Sequence, residues 1–186
     1  MNDTVNGCDA KVVFITGASD EAVVLSCERF LNEGCFVGFT YSGGNGHPMP
    51  EQDRLLARHA PNMSAPEISK AVVDTAESFG GIDVLVFMRD FWEKDGGELF
   101  LDLGEDDWDS AMALVKAFFL SCKYAIPYLI NSPCARVIVI SRAADNDNIA
   151  EYAAASTLKA ATERAGKELS DFGIDVTYAP PGDFDF

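Results

Sequence analysis

Basic residues are scarce: 14 lysines and arginines stand against 30 aspartates and glutamates, a formal net charge of −16. A chain so acidic repels phosphate backbones and anionic lipid, so neither nucleic acid nor a membrane surface is expected as a partner. Histidine is rarer still, with only His47 and His59, both in polar stretches. The five cysteines, Cys8, Cys27, Cys35, Cys122 and Cys134, are odd in number, widely spread and lack a Cys-x-x-Cys pair. Reduced thiols are expected, and neither a metal site nor a disulfide framework. No run of eighteen apolar residues occurs, and Met1-Asn2-Asp3-Thr4 has neither the basic nor the apolar region of a signal peptide. A cytoplasmic location is the expectation.

What is present is a 186-residue chain with 48% hydrophobic content, enough for one domain with a substantial core. Short apolar runs rich in β-branched residues, at 12–15, 35–41, 83–87, 136–140 and 174–178, alternate with longer stretches of helical period. A short helix is also expected over 51–59. Ser64-Ala65-Pro66-Glu67 has the spacing of a capping box and starts a helix that runs to Phe79-Gly80-Gly81. The alternation predicts an α/β fold, a doubly wound parallel sheet of order 3-2-1-4-5-6 with right-handed crossovers and helices on both faces. Residues 106–130 form a helix that is apolar almost all round, which predicts burial on more than one side.

Residues 11–34 read as strand, turn and helix, an arrangement that aims backbone N–H groups at an anion above the strand. Thr16 and Gly17 before the turn, and Gly34 at the helix end, resemble the Thr-Gly-x-x-x-Gly-x-Gly opening of the short-chain dehydrogenase/reductase family. In that register Glu21 takes the second glycine position and Val23 the third. A carboxylate near pyrophosphate costs up to roughly 4 kcal/mol per charge pair at ~4 Å and an effective dielectric of ~20. Val23 sets a branched side chain where helix and strand pack closely. The resemblance further places Phe87 and Met88 at two asparagines that approach the cofactor ribose, and Thr40-Tyr41-Ser42 offers no acid or base to select a ribose. Residues 61–64 fall at the family's third strand. Gly17, Ser19, Glu21, Pro181 and Gly182 mark a vestigial cofactor site, and no or weak NAD(P) binding is the expectation.

The family's reaction needs Tyr-x3-Lys, the lysine lowering the tyrosine pKa and holding the ribose, together with a serine that polarises the carbonyl. Ser141 matches the first member of the family's serine pair and Arg142 the second. Tyr152 is followed at the required spacing by Ser156. Counted back from Lys167-Glu168-Leu169, Glu151 takes the tyrosine position and Ala155 the lysine position. A Tyr-x6-Lys spacing, Tyr152 with Lys159, resembles that of enoyl-acyl-carrier-protein reductases, with ~10.5 Å of helical rise between the two. Leu114 or Val115 stands at the family's relay asparagine, and neither relays a proton. Halohydrin dehalogenases also discard the nucleotide but keep a catalytic arginine that Arg142 does not replace.

Pro180-Pro181-Gly182 resembles the family's turn beside the nicotinamide. The resemblance thus covers residues 1–186 as the dinucleotide-binding core, without the substrate loop, helix and edge strand that follow it in relatives. It implies a non-catalytic subunit of an active relative, joined as a homo- or hetero-oligomer through helices at 106–130 and 151–171. Phe118, Phe119 and the alanines Ala153, Ala154, Ala155 and Ala161 are expected at that interface. The alternative is a divergent reductase using Tyr152, Lys159 and Ser141 on a small carbonyl or enoyl substrate.

Overall fold

A computed structural model describes residues 11–17, 20–43, 49–50, 52–89, 100–141 and 148–179. Six parallel strands form one sheet in the order β3-β2-β1-β4-β5-β6: β1 (Val12–Thr16), β2 (Phe36–Tyr41), β3 (Leu55–His59), β4 (Val84–Met88), β5 (Arg136–Ile140) and β6 (Asp175–Ala179). Every residue of β1 and β4 is buried, which is why these strands read as continuous apolar runs without alternation. The four helices are α1 (Asp20–Asn32), α2 (Ala65–Phe79), α3 (Glu105–Leu129) and α4 (Ile149–Leu169), and a 3₁₀ turn Ser170–Phe172 leads into β6. Two apolar layers result. One joins α2, α3 and α4 to the face of Phe14, Leu85, Phe87 and Val139, and the other joins α1 to the face of Val13, Ile15, Val86 and Met88.

The helix expected over 51–59 and the strand expected over 61–64 are both corrected. Leu55–His59 is the third strand, paired with β2 from Val37↔Leu55 to Tyr41↔His59. Leu-Leu-Ala-Arg favours a helix as an isolated segment, and pairing with an exposed sheet edge overrides that preference. Residues 61–64 form the turn into α2. There the Glu67 carboxylate accepts from the Ser64 N–H at 2.8 Å and from its hydroxyl at 2.7 Å, and Gly80 ends the helix at φ +89°. These bonds, the backbone one first, hold the Glu67 carboxyl below the usual carboxylate range.

The amino ends of three strands meet at Asp83. Its carboxylate accepts from the Val12 N–H at 2.8 Å and the Ser132 hydroxyl at 2.6 Å. Its own N–H donates to the Val12 carbonyl at 2.8 Å, and its carbonyl accepts from the Arg136 N–H at 3.0 Å. α2 approaches β2 so closely that a Cβ on Gly38 would lie 2.1 Å from the Thr75 hydroxyl.

Beside β3, Arg58 donates to Asp74 at 2.5 Å and Lys70 does so at 2.9 Å. The Arg58 bond is the main cause of a lowered Asp74 pKa. A carboxyl with a depressed folded pKa stabilises the fold above its unfolded value of ~3.9 and loses that contribution as pH falls through the folded value. Asp74→Asn is expected to cost about 1 kcal/mol at neutral pH. Urea unfolding at neutral and strongly acidic pH checks this, the gap between the two proteins narrowing at the acidic end.

Candidate functional site

In an open parallel sheet, ligands bind outside the carboxyl ends of the strands, where the strand order reverses. Here that place lies between β1 and β4. The chain leaves β1 through Gly17 at φ +100°, and a Cβ there would stand 2.6 Å from the Met88 carbonyl oxygen and 2.9 Å from the Phe87 ring. Gly17 therefore lies tightly against the end of β4. Glu21 is exposed in the first turn of α1, whereas Ala22 and Val23 are buried in the layer that contains Met88 and Ile140. Val23, expected at the family's third glycine position, packs into that layer.

Phe87 and Met88 diverge from one another, as successive strand residues must. Phe87 is fully buried on the α3 side, its ring edge-on to Phe118 with centroids 5.4 Å apart. Met88 is buried on the α1 side, where its sulfur lies 3.3 Å from the Ser26 hydroxyl. Both residues belong to the core. At the ends of β1 and β2, Thr16 and Thr40 hydroxyls share a hydrogen bond of 2.7 Å, with the Met63 sulfur 3.7 Å from Thr16.

One charged side chain enters this apolar setting. Arg89, the residue after β4, is only 3% exposed, and its N–H donates to the Ile140 carbonyl at 2.8 Å. Its Nη2 donates to the carboxylate of Glu151 and, at 3.3 Å, to the Glu151 backbone carbonyl. Glu151 is set by its own helix start: the Asn148 side chain caps α4 by accepting from the Glu151 N–H at 3.0 Å. The pair thus fastens the first turn of α4 to the end of β4. Losing Glu151 takes a carboxylate partner from the buried Arg89 guanidinium, at a cost of up to about 3–5 kcal/mol.

The three residues expected to carry chemistry differ in exposure. Tyr152 and Lys159 are exposed and share the outer face of α4, Tyr152 at 50% exposure. Ser141 is buried at the end of β5, its N–H donating to the Ala179 carbonyl at 3.1 Å. Ala155 is buried and carries no amine, and Leu114 and Val115 are half-buried on α3. Of the vestigial cofactor residues, Gly17 and Glu21 flank the first turn, while Ser19, Pro181 and Gly182 lie outside the described residues, as does Arg142. Sequence reasoning gave Arg89 no role and met Glu151 only as one of two registers. The available signal was a lone cation closing a buried apolar strand, which requires an anion somewhere in the fold.

Burial raises the Cys122 thiol to about 12 and pushes Cys27 higher still, so neither is a thiolate nucleophile near neutral pH. Among the described residues no three His, Cys, Asp or Glu side chains are grouped to hold a metal ion.

The family described as enoyl-(acyl carrier protein) reductase matches residues 26–173, beginning just beyond the altered glycine turn. An uncharacterized oxidoreductase of Schizosaccharomyces pombe is 27% identical over 180 residues, 94% of this chain and 67% of that protein. Among solved structures, a dehydrogenase/reductase of Sinorhizobium meliloti superposes with a TM-score of 0.73 at 22% identity, over 96% of this chain and 75% of its own. The NADPH-bound short-chain oxidoreductase of Pseudomonas aeruginosa, which contains an atypical catalytic centre, gives 0.75 at 16% identity, over 92% and 72%.

Proposed function

We propose, from the premise that this chain belongs to the short-chain dehydrogenase/reductase family, that it acts as a non-catalytic subunit supporting an active relative. The observation that supports this reading is a carboxylate, Glu151, tied to Arg89 just beyond the carboxyl end of β4. In the register counted back from Lys167-Glu168-Leu169, that carboxylate replaces the phenol that would exchange a proton with substrate, and Ala155 replaces the lysine that would tune it.

The same reading holds that NAD(P) binds weakly or not at all. Glu21 adds negative charge to the α1 end that would face pyrophosphate, and Val23, Phe87 and Met88, packed into the core, stand where the resemblance puts glycine and amides. Isothermal titration with NADH and NADPH is expected to give little heat at micromolar concentrations. A low-micromolar dissociation constant overturns this part of the proposal.

The assembly surface is the outer side of α3 and α4. Phe118 is not part of it, being 4% exposed against Phe87, and Ala154 and Ala155 are buried within the chain. Phe119, Lys116, Lys123, Tyr152 and Lys159 face outward. Small residues on the inner side, Ala111 against Ala150 and Ala154, let α3 and α4 approach one another. In the native assembly Phe119→Asp is expected to release the partner without unfolding this chain, and Tyr152→Phe to leave turnover intact.

A second reading, a divergent reductase, is favoured by the shared exposed face of Tyr152 and Lys159. Loss of turnover in Tyr152→Phe with the complex still assembled selects it.

A further inference from the structure

We propose that Met63 is a site of oxidative modification, a thioether that a peroxide converts to a sulfoxide and that the Thr16 and Thr40 hydroxyls then hold. The backbone supplies the first observation. Met63 closes the turn after β3, its N–H donating to the Ala60 carbonyl at 3.3 Å, and at φ +47° it is the one non-glycine with a positive φ among the described residues. Such a conformation persists where the surroundings fix the backbone against its own preference. A hydrophobic staple onto α2 accounts for Met63 packing on the layer that contains Ile68, but it asks for no such backbone.

The second observation lies at the sulfur. Thr16 and Thr40 are 0% and 3% exposed, and their hydroxyls share a hydrogen bond of 2.7 Å, which uses one of their two protons. The other proton is left for the Met63 sulfur, 3.7 Å from the Thr16 oxygen and 4.0 Å from that of Thr40. A thioether is a weak acceptor, so a buried donor is poorly matched here. Oxidation makes the side chain polar and supplies the acceptor oxygen that the threonine pair lacks. In that step the sulfur gives a lone pair to one oxygen of hydrogen peroxide. The O–O bond breaks, an S–O bond forms and water leaves, so the sulfur is oxidised by two electrons and the peroxide is reduced. The lone pair turned away from the hydroxyls reacts, and rotation of the flexible side chain carries the new oxygen to the waiting proton. The sulfoxide then ties the turn after β3 to the ends of β1 and β2, beside Gly17.

Hydrogen peroxide is the probe, applied to the full chain and followed by peptide mass mapping and thermal unfolding. Met63 is half-buried, so it is expected to gain one oxygen several-fold faster than Met49 and Met88, which are 5% and 1% exposed. Met63→Leu, treated alike, subtracts the effect of the other methionines. After that subtraction, oxidation is expected to leave the thermal midpoint within about 2 °C, whereas in the double variant Thr16→Val with Thr40→Val it lowers the midpoint by at least about 4 °C, the oxygen having lost its donors. Should the valine pair fail to fold, the unsubstituted chain decides: oxidation is expected to shift the Thr16 and Thr40 γ-methyl resonances, and to leave them unmoved in Met63→Leu. Met63 oxidised no faster than Met88, an equal loss of midpoint with and without the hydroxyls, or threonine methyls that do not respond to Met63 oxidation overturns the proposal.

Discussion

Phe118→Asp unfolds the chain. The ring is 4% exposed and meets Phe87 edge-on at 5.4 Å, in the layer that also holds Phe14, Leu85 and Val139. Truncating such a ring costs about 3–5 kcal/mol, and placing a carboxylate in the resulting space adds a desolvation penalty of several more. Against a typical total stability of about 5–15 kcal/mol, the folded population falls sharply. Circular dichroism of the purified variant at neutral pH is expected to lack the cooperative thermal transition of the parent. Phe119→Asp, at a position 61% exposed one residue later, is expected to keep that transition within a few degrees. Similar behaviour of the two variants in isolation contradicts the inward placement of Phe118.

Gly17→Ala is the second large effect, because two penalties coincide. The residue sits at φ +100°, which side-chain-bearing residues rarely adopt, and its new Cβ would fall 2.6 Å from a backbone oxygen. A backbone carbonyl in a parallel sheet has no rotamer to yield with, so the turn or the end of β4 must move. The expected loss is roughly 3 kcal/mol or more. Equilibrium urea unfolding measures it as a lower midpoint with unchanged slope, and a loss under about 1 kcal/mol contradicts the tight contact. The same variant is expected to disturb Met88 and Phe87, the residues that the new Cβ would meet.

The strand order was legible because both faces of the inner strands are covered, so Val12–Thr16, Val84–Met88 and Arg136–Ile140 carry little polarity to confuse the period. β3 was not. At the sheet edge it is partly buried from Leu55 to Arg58 and exposed at His59, shows no alternation, and consists largely of good helix formers. α3 presented another ambiguity, since a helix apolar on every side does not declare which of Phe118 and Phe119 faces the sheet. By length and composition it even suits a membrane span, while its buried residues here line the chain's own interior. The start of α1 at Asp20, with Glu21 exposed and Val23 buried, fits the helical period expected there. The Arg89–Glu151 pair was not legible, because its partners lie 62 residues apart and only the crossover through α3 and β5 brings them together.

Asp83 gathers the amino ends of β1, β4 and β5 at the end of the sheet opposite the crevice, so the fastening of the strands and the candidate site have separate addresses. Amide protons bonded around Asp83 are then set to exchange only when the whole domain opens, whereas those around Gly17 and Glu151 exchange through smaller openings. For the evolution of the chain, this separation means that a catalytic tyrosine and lysine can be lost by drift without loosening the sheet. A lineage can thus keep the scaffold while the chemistry at its other end changes.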